Sequence, residues 1–133
     1  MIDTKKFWTV AVIVNLLQAT VAAQAQQLSG DEIKKLVTSN TVKGPIGAQP
    51  YSFYYKPTGE VGGVIGGGDD DSGTWKIKQG NVYCHMWIDF FDGVEHCYEW
   101  HKDGKRYVMK NVDTDRSRDI PVWSIEKGNP LGF

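Results

Sequence analysis

The stretch 83-YCHMWIDFFDGVEHCYEWHK-102 holds both cysteines and all three histidines of a 133-residue chain. Its halves mirror each other across Asp92-Gly93, with Cys84-His85 before the turn and His96-Cys97 after it. Two runs rich in aromatic and β-branched residues, separated by a turn dipeptide, predict a β-hairpin. If Cys84 pairs directly with Cys97, His85 falls opposite His96 on the other face, and the turn must be longer than two residues, for example a loop over 89–92. A tight two-residue turn at Asp92-Gly93 instead sets Ile88 opposite Cys97 and Cys84 opposite His101. The thiols are then about 13 Å apart by strand rise, beyond bonding reach.

Side-chain alternation leaves both registers open. Cys84 shares a row with Val82, Met86 and Ile88, which is apolar, whereas Cys97 shares one with Glu95, Glu99 and His101, which is polar. A bulge, or a sheet covered on one side by an N-terminal helix, would reconcile the two rows. Parity alone groups Tyr83, His85 and Trp87 on one face, and His96, Tyr98 and Trp100 on one face. In the paired register these six form a single aromatic and imidazole patch.

Outward from the hairpin, short runs alternate with turn chemistry. "YSFYYK" precedes Pro57-Thr58-Gly59, "EVGGVIGG" precedes Asp69 to Gly73, and "TWKIK" precedes Gln79-Gly80-Asn81. After the hairpin come Asp103-Gly104, "KRYVMKNV", a charged loop at 113–119 and "PVWSIE". Turns at this spacing predict a mainly β chain, an antiparallel up-and-down meander curled into a small barrel or half-barrel. The run 74–78 is the clearest strand, with Trp75 and Ile77 alternating against Thr74, Lys76 and Lys78.

Upstream, "LSGDEIKKLVTSN" carries a capping box, Ser29 with Glu32, and an apolar face of Ile33, Leu36 and Val37, so a short helix over 30–38 is expected. Leu28 and Ile33 stand at the two positions of a hydrophobic staple. Ahead of it, Lys5 and Lys6, an apolar run from Phe7 to Ala23 broken by Asn15 and Gln18, and then Ala23-Gln24-Ala25 form a secretory signal peptide pattern. The apolar stretch falls short of the roughly 20 residues of a membrane span. The expected organisation is therefore a signal peptide at 1–25 and a single β-rich domain at 26–133, periplasmic or secreted, with no membrane span after cleavage. In such a compartment two cysteines predict a disulfide, Cys84 to Cys97.

The chemistry-bearing patterns are sparse. A formal net charge of −1 gives no basic surplus for phosphates, which argues against a nucleic-acid partner. No G-x-S-x-G occurs, and Ser72 and Ser124 have no acid-base set beside them. Adjacent Cys84 and His85 point to opposite faces of a strand, and Cys97 and His101 lie about 13 Å apart, so no cysteine nucleophile is assembled. Zinc could recruit His85 and His96, but the usual C-x₂-C and H-x₃-H spacings are missing. The segment "GEVGGVIGGGDDDSG" lacks the lysine of a phosphate loop and the alternating ligands of a calcium loop. Its aspartates read as a solvated turn, and its glycines as a bend, a bulge or bare backbone under aromatic rings from 51–55.

The chain resembles a group of small secreted, mostly alphaproteobacterial proteins grouped as a domain of unknown function. The resemblance is carried by "LSGDEI", "SFYYKPTGEVGG", "SGTWKI", the "C…W…HCYEW" hairpin, "GKRY" and "KGNPLGF", which span nearly the whole mature chain. It implies a periplasmic or secreted β-rich domain with a cysteine pair, and it brings no activity that carries over to this chain. Gly73-x-Trp75 is also similar to the G-x-W of lipocalin-like barrels, although it falls mid-chain rather than near the first strand. The expectation is a non-enzymatic domain, with no cofactor, that binds a small apolar ligand or a cell-envelope partner through Tyr83, Trp87, Tyr98 and Trp100. The alternatives are a metal-binding protein built on His85 and His96, and a purely structural envelope protein.

Overall fold

The computed structural model describes residues 26–113 and 118–133. The expected signal peptide at 1–25 and its cleavage site lie outside the described residues. In chain order the elements are β1 (Gln26–Gln27), α1 (Gly30–Val37), β2 (Asn40–Ile46), β3 (Gln49–Tyr55), β4 (Glu60–Ile65), β5 (Asp69–Lys78), β6 (Val82–Trp87), a 3₁₀ turn (Phe90–Gly93), β7 (His96–Asp103), β8 (Arg106–Asn111), β9 (Ile120–Val122) and β10 (Ser124–Lys127). All strand pairs are antiparallel and neighbours in sequence are neighbours in space, apart from β1 on β7 and β10 on β2. The fold is thus the predicted meander.

The sheet curls until it nearly meets itself, because one run of chain serves both of its edges. β9 pairs with β8, and after the single residue Trp123 β10 pairs with β2. At the crossover the Trp123 amide donates to the Lys43 carbonyl at 2.8 Å, and the Tyr51 hydroxyl donates to the Pro121 carbonyl at 2.6 Å. Gly44 makes this approach possible: a Cβ there would stand 2.3 Å from the Pro121 oxygen.

The run expected as one strand, "PVWSIE", is therefore two strands joined at an exposed Trp123. β2 was hidden in the sequence by its Gly44-Pro45 pair, which reads as a strand breaker. Asp69 to Gly73, expected as a solvated turn, instead belong to β5, and the reversal is made by Gly66–Gly68. The reason is packing: β4 offers Gly63 opposite Asp71 and Val64 opposite Asp70. Gly63 is bare because Phe53 covers it, 2.5 Å from where a Cβ would sit. That is one of the local causes anticipated for the glycines.

The two ends of the barrel are closed differently. One is plugged by α1, whose capping box is present as expected: the Glu32 amide donates to Ser29 Oγ and the Ser29 amide to Glu32 Oε1, each at 3.1 Å. The Gly30 amide donates to Asn81 Oδ1 at 2.9 Å, which ties the helix start to the β5–β6 turn. Leu28, Ile33 and Val37 are buried in the core with Val42, Tyr55 and Trp75. At the other end lie the turns 47–48 and 66–68, the loop 88–95 and residues 112–113 and 118–119; the rest of the expected charged loop at 113–119 lies outside the described residues.

Candidate functional site

The hairpin adopts the paired register. Tyr83 faces Tyr98, Cys84 faces Cys97 and His85 faces His96, with 88–95 as a long loop. Cys84 and Cys97 are joined by a disulfide across a Cα separation of 4.1 Å. The apparent conflict of rows resolves without a bulge or a covering helix, because the cysteine row is the outside of the barrel. Met86 and Ile88 are exposed there despite being apolar. Beside the disulfide, Glu95 pairs with Lys78 and, at 3.3 Å, with Lys76. The hydrogen bond from Lys78 is the largest cause holding its carboxyl below the usual value.

The other row faces inward. Tyr83, Trp87, Tyr98 and Trp100 are at most 2% exposed, and His85 and His96 are buried with them. The rings fill the interior rather than lining an empty pocket. Trp87 packs on Phe53 with centroids 4.6 Å apart, Tyr83 on Trp100 at 5.8 Å and Tyr98 on His85 at 5.2 Å. A polar thread runs through them: the Tyr55 and Tyr83 hydroxyls are 2.8 Å apart, and Tyr83 Oη is 3.1 Å from His85 Nδ1. Burial first, and the electrostatic influence of the neighbouring His96 second, push the His85 pKa down to about 3, so the imidazole is neutral.

The ring that closes this column at the loop end is Phe91. It lies 4.8 Å from His85, 5.9 Å from His96 and 6.4 Å from Phe53, centroid to centroid. The backbone that delivers it is unusual: Phe91, Asp92 and Gly93 all have left-handed φ, at 54°, 62° and 66°. For a residue with a Cβ that conformation costs roughly 1–2 kcal/mol. It is held from both sides. Asp71 Oδ2 accepts from the Asp89 and Phe90 amides, each at 2.8 Å, and the His96 Nε2–H donates to the Phe91 carbonyl at 2.9 Å. Desolvation raises the Asp71 pKa, but the amides of Phe90, Asp89, Ser72 and Ile88 together outweigh it, leaving the carboxyl below its usual value.

Beside Phe91 opens a cavity of about 380 Å³, lined by Pro45, Ile46, Tyr98, Ile120 and Pro121 together with the charged pair Arg118 and Asp119. Of the four aromatic residues expected to bind, only Tyr98 reaches it. Phe91, Ile46 and Ile120 were not singled out as candidates. The available signal was Phe90-Phe91, two aromatic rings placed in a turn between Asp89 and Asp92-Gly93. A second cavity, about 390 Å³, lies between α1 and β7–β8, but its walls include Glu32, Lys35 and Lys102.

For a metal, the one group of ligand atoms within mutual reach among the described residues is Cys84, Glu95 and Cys97, whose sulfurs are bonded to each other. His85 and His96 do not belong to such a group; the Asp113 carboxylate stands 3.9 Å from His96 Nδ1 and accepts a hydrogen bond from the Cys97 amide. Their rings are 6.4 Å apart, and His96 Nε2 is engaged by Phe91. Among the described residues no helix is long and apolar enough to cross a membrane. No family model, curated protein or solved structure matches this chain.

Proposed function

We propose that the protein is an exported, non-enzymatic β-barrel that holds a small apolar ligand at its loop-closed end. The observation that carries this reading is the cavity beside Phe91. Its walls at Pro45, Ile46, Tyr98, Ile120 and Pro121 are apolar, and it abuts the aromatic interior. Apolar concave sites with few polar groups are the usual setting for small-molecule binding. The disulfide supports export, since such bonds persist in oxidising compartments. The binding element is then the Phe91 end of the barrel rather than the whole aromatic row, of which Tyr83, Trp87 and Trp100 serve as the core.

Titration with toluene, followed by amide NMR shifts, tests the reading. Saturable shifts are expected at Ile46, Phe91, Tyr98 and Ile120, and an Ile46→Lys variant that keeps its fold should lose them. Absence of any saturable shift, or shifts confined to Leu28, Lys35 and Tyr107, would overturn it.

A further inference from the structure

We infer that Phe91 is a displaceable plug, and that the site beneath it takes an apolar ring carrying one uncharged hydroxyl, a phenol-like molecule anchored on His85 Nε2. The inference rests on the proposed binding at the loop-closed end and adds to it the polar contact that selects the ligand.

The anchor is an unpartnered atom. His85 is 1% exposed, and its Nε2 has no hydrogen-bond partner. A buried polar nitrogen without a partner costs roughly 1–3 kcal/mol, and such an atom in a native fold calls for an explanation. Nδ1 is turned to the Tyr83 hydroxyl, so Nε2, on the far side of the imidazole, is turned away from it. The rings around His85 other than Tyr83 are Trp87, Phe91, His96 and Tyr98. Two of these, Phe91 and Tyr98, are also walls of the cavity. The same two rings therefore touch the imidazole that carries the unsatisfied nitrogen and line the largely apolar space beside it. The Trp87 Nε1–H is a second buried donor without a partner, on a ring 6.0 Å from that of His85.

One of the two shared rings is placed to move. The Asp71 carboxylate fixes the amides of Asp89 and Phe90, so the foot of the loop stays in place. The next residue, Phe91, is only half-buried and sits at φ 54°. Swinging its ring outward gives up contacts with His85, His96 and Phe53 and leaves the Asp71 contacts at the foot of the loop in place.

The head group follows from the imidazole. A neutral ring cannot form an ion pair with a carboxylate, which would lose its hydration on entering. Tyr83 Oη and His85 Nδ1 can share their proton either way round, so Nε2 is a donor in one tautomer and an acceptor in the other. A hydroxyl satisfies both cases. The cavity of about 380 Å³ accommodates a single substituted ring.

The test compares phenol with toluene on the full chain, reading affinity from amide shifts and the His85 ring nitrogens from long-range proton–nitrogen spectra. Phenol should bind at least tenfold tighter than toluene and move the His85 Nε2 resonance. In His85→Phe, phenol should fall to the toluene level while toluene is retained. If that variant does not fold, the ring-nitrogen shift in the wild-type protein decides. Equal affinity for the two probes with an unmoved Nε2 resonance overturns the anchor while leaving the apolar site intact. Failure of both probes to bind overturns the site itself.

Discussion

The two ends of this barrel are closed by opposite means. The helix end is shut by regular structure: α1 has both partners of its capping box, Ile33 and Val37 are fully buried, and Gly30 is tied to Asn81. The loop end is shut by one aromatic ring on a left-handed backbone, above a histidine with an unsatisfied nitrogen. The helix end is thus held by paired polar groups and fully buried side chains. The other end carries strain and an unfilled hydrogen bond, the two features that accompany binding sites.

The sharpest way to break this contrast is truncation at each end. Ile33→Ala should cost about 2–5 kcal/mol in a denaturant titration, because it empties a fully buried position under the sheet. Phe91→Ala should cost less than half as much, since the ring is only half-buried and its removal relieves nothing below it but adds space to the cavity. Equal losses would mean that both ends are equally structural. Next in size is the staple on the outside of the hairpin. Reducing the Cys84–Cys97 bond, or replacing both cysteines with serine, releases a loop with a sequence separation of 13, worth about 3 kcal/mol by chain entropy. An unchanged melting temperature would remove the disulfide from the account.

Acid offers a third probe, specific to the loop end. His85 has a pKa of about 6.5 when unfolded and about 3 in the fold. The unfolded chain therefore takes up a proton below pH 6.5 that the native state refuses, and stability present above that pH is lost as pH falls. The slope approaches 1.4 kcal/mol per pH unit, or about 2.7 kcal/mol by pH 4.5. The carboxyls of Asp71 and Glu95, also held low, add their own loss only below their unfolded values, so the upper window reports the histidine. His85→Phe should flatten it; a slope that persists unchanged assigns the effect elsewhere. The smallest expected effect is at the helix end, where Ser29→Ala removes one cap and should cost about 1 kcal/mol.

How far these ends were legible in the sequence follows the same divide. The helix was readable because a capping box and an i, i+3, i+4 apolar face are local patterns, and the strands because turn residues punctuate them. The disulfide register was one of two that local pattern allowed, and what selected it, the long loop 88–95, depends on contacts from Asp71 that lie far away in sequence. β2, and the division of the expected strand at 121–126 between two sheet edges, escaped notice for a related reason: Gly44 and Pro45 look like breakers until Pro121 is laid across them. The aromatic row was correctly placed on one face, but parity does not say which face is inside. Once it is inside, Tyr83, Trp87 and Trp100 become core, and the cavity falls to residues such as Ile46 and Ile120 that carry no chemical signature of their own.

The contrast between the ends is tested most directly by native-state amide hydrogen exchange. The Val94 amide rests on the Phe91 carbonyl at 3.5 Å, whereas the Leu28 amide rests on the Trp100 carbonyl and the Ile33 amide on that of Ser29. If the loop end opens by itself at Phe91, Val94 should be protected about 100-fold less than Leu28 and Ile33, through a local opening that leaves the sheet closed. Equal protection at both ends, or a helix that opens before the loop, would contradict the account.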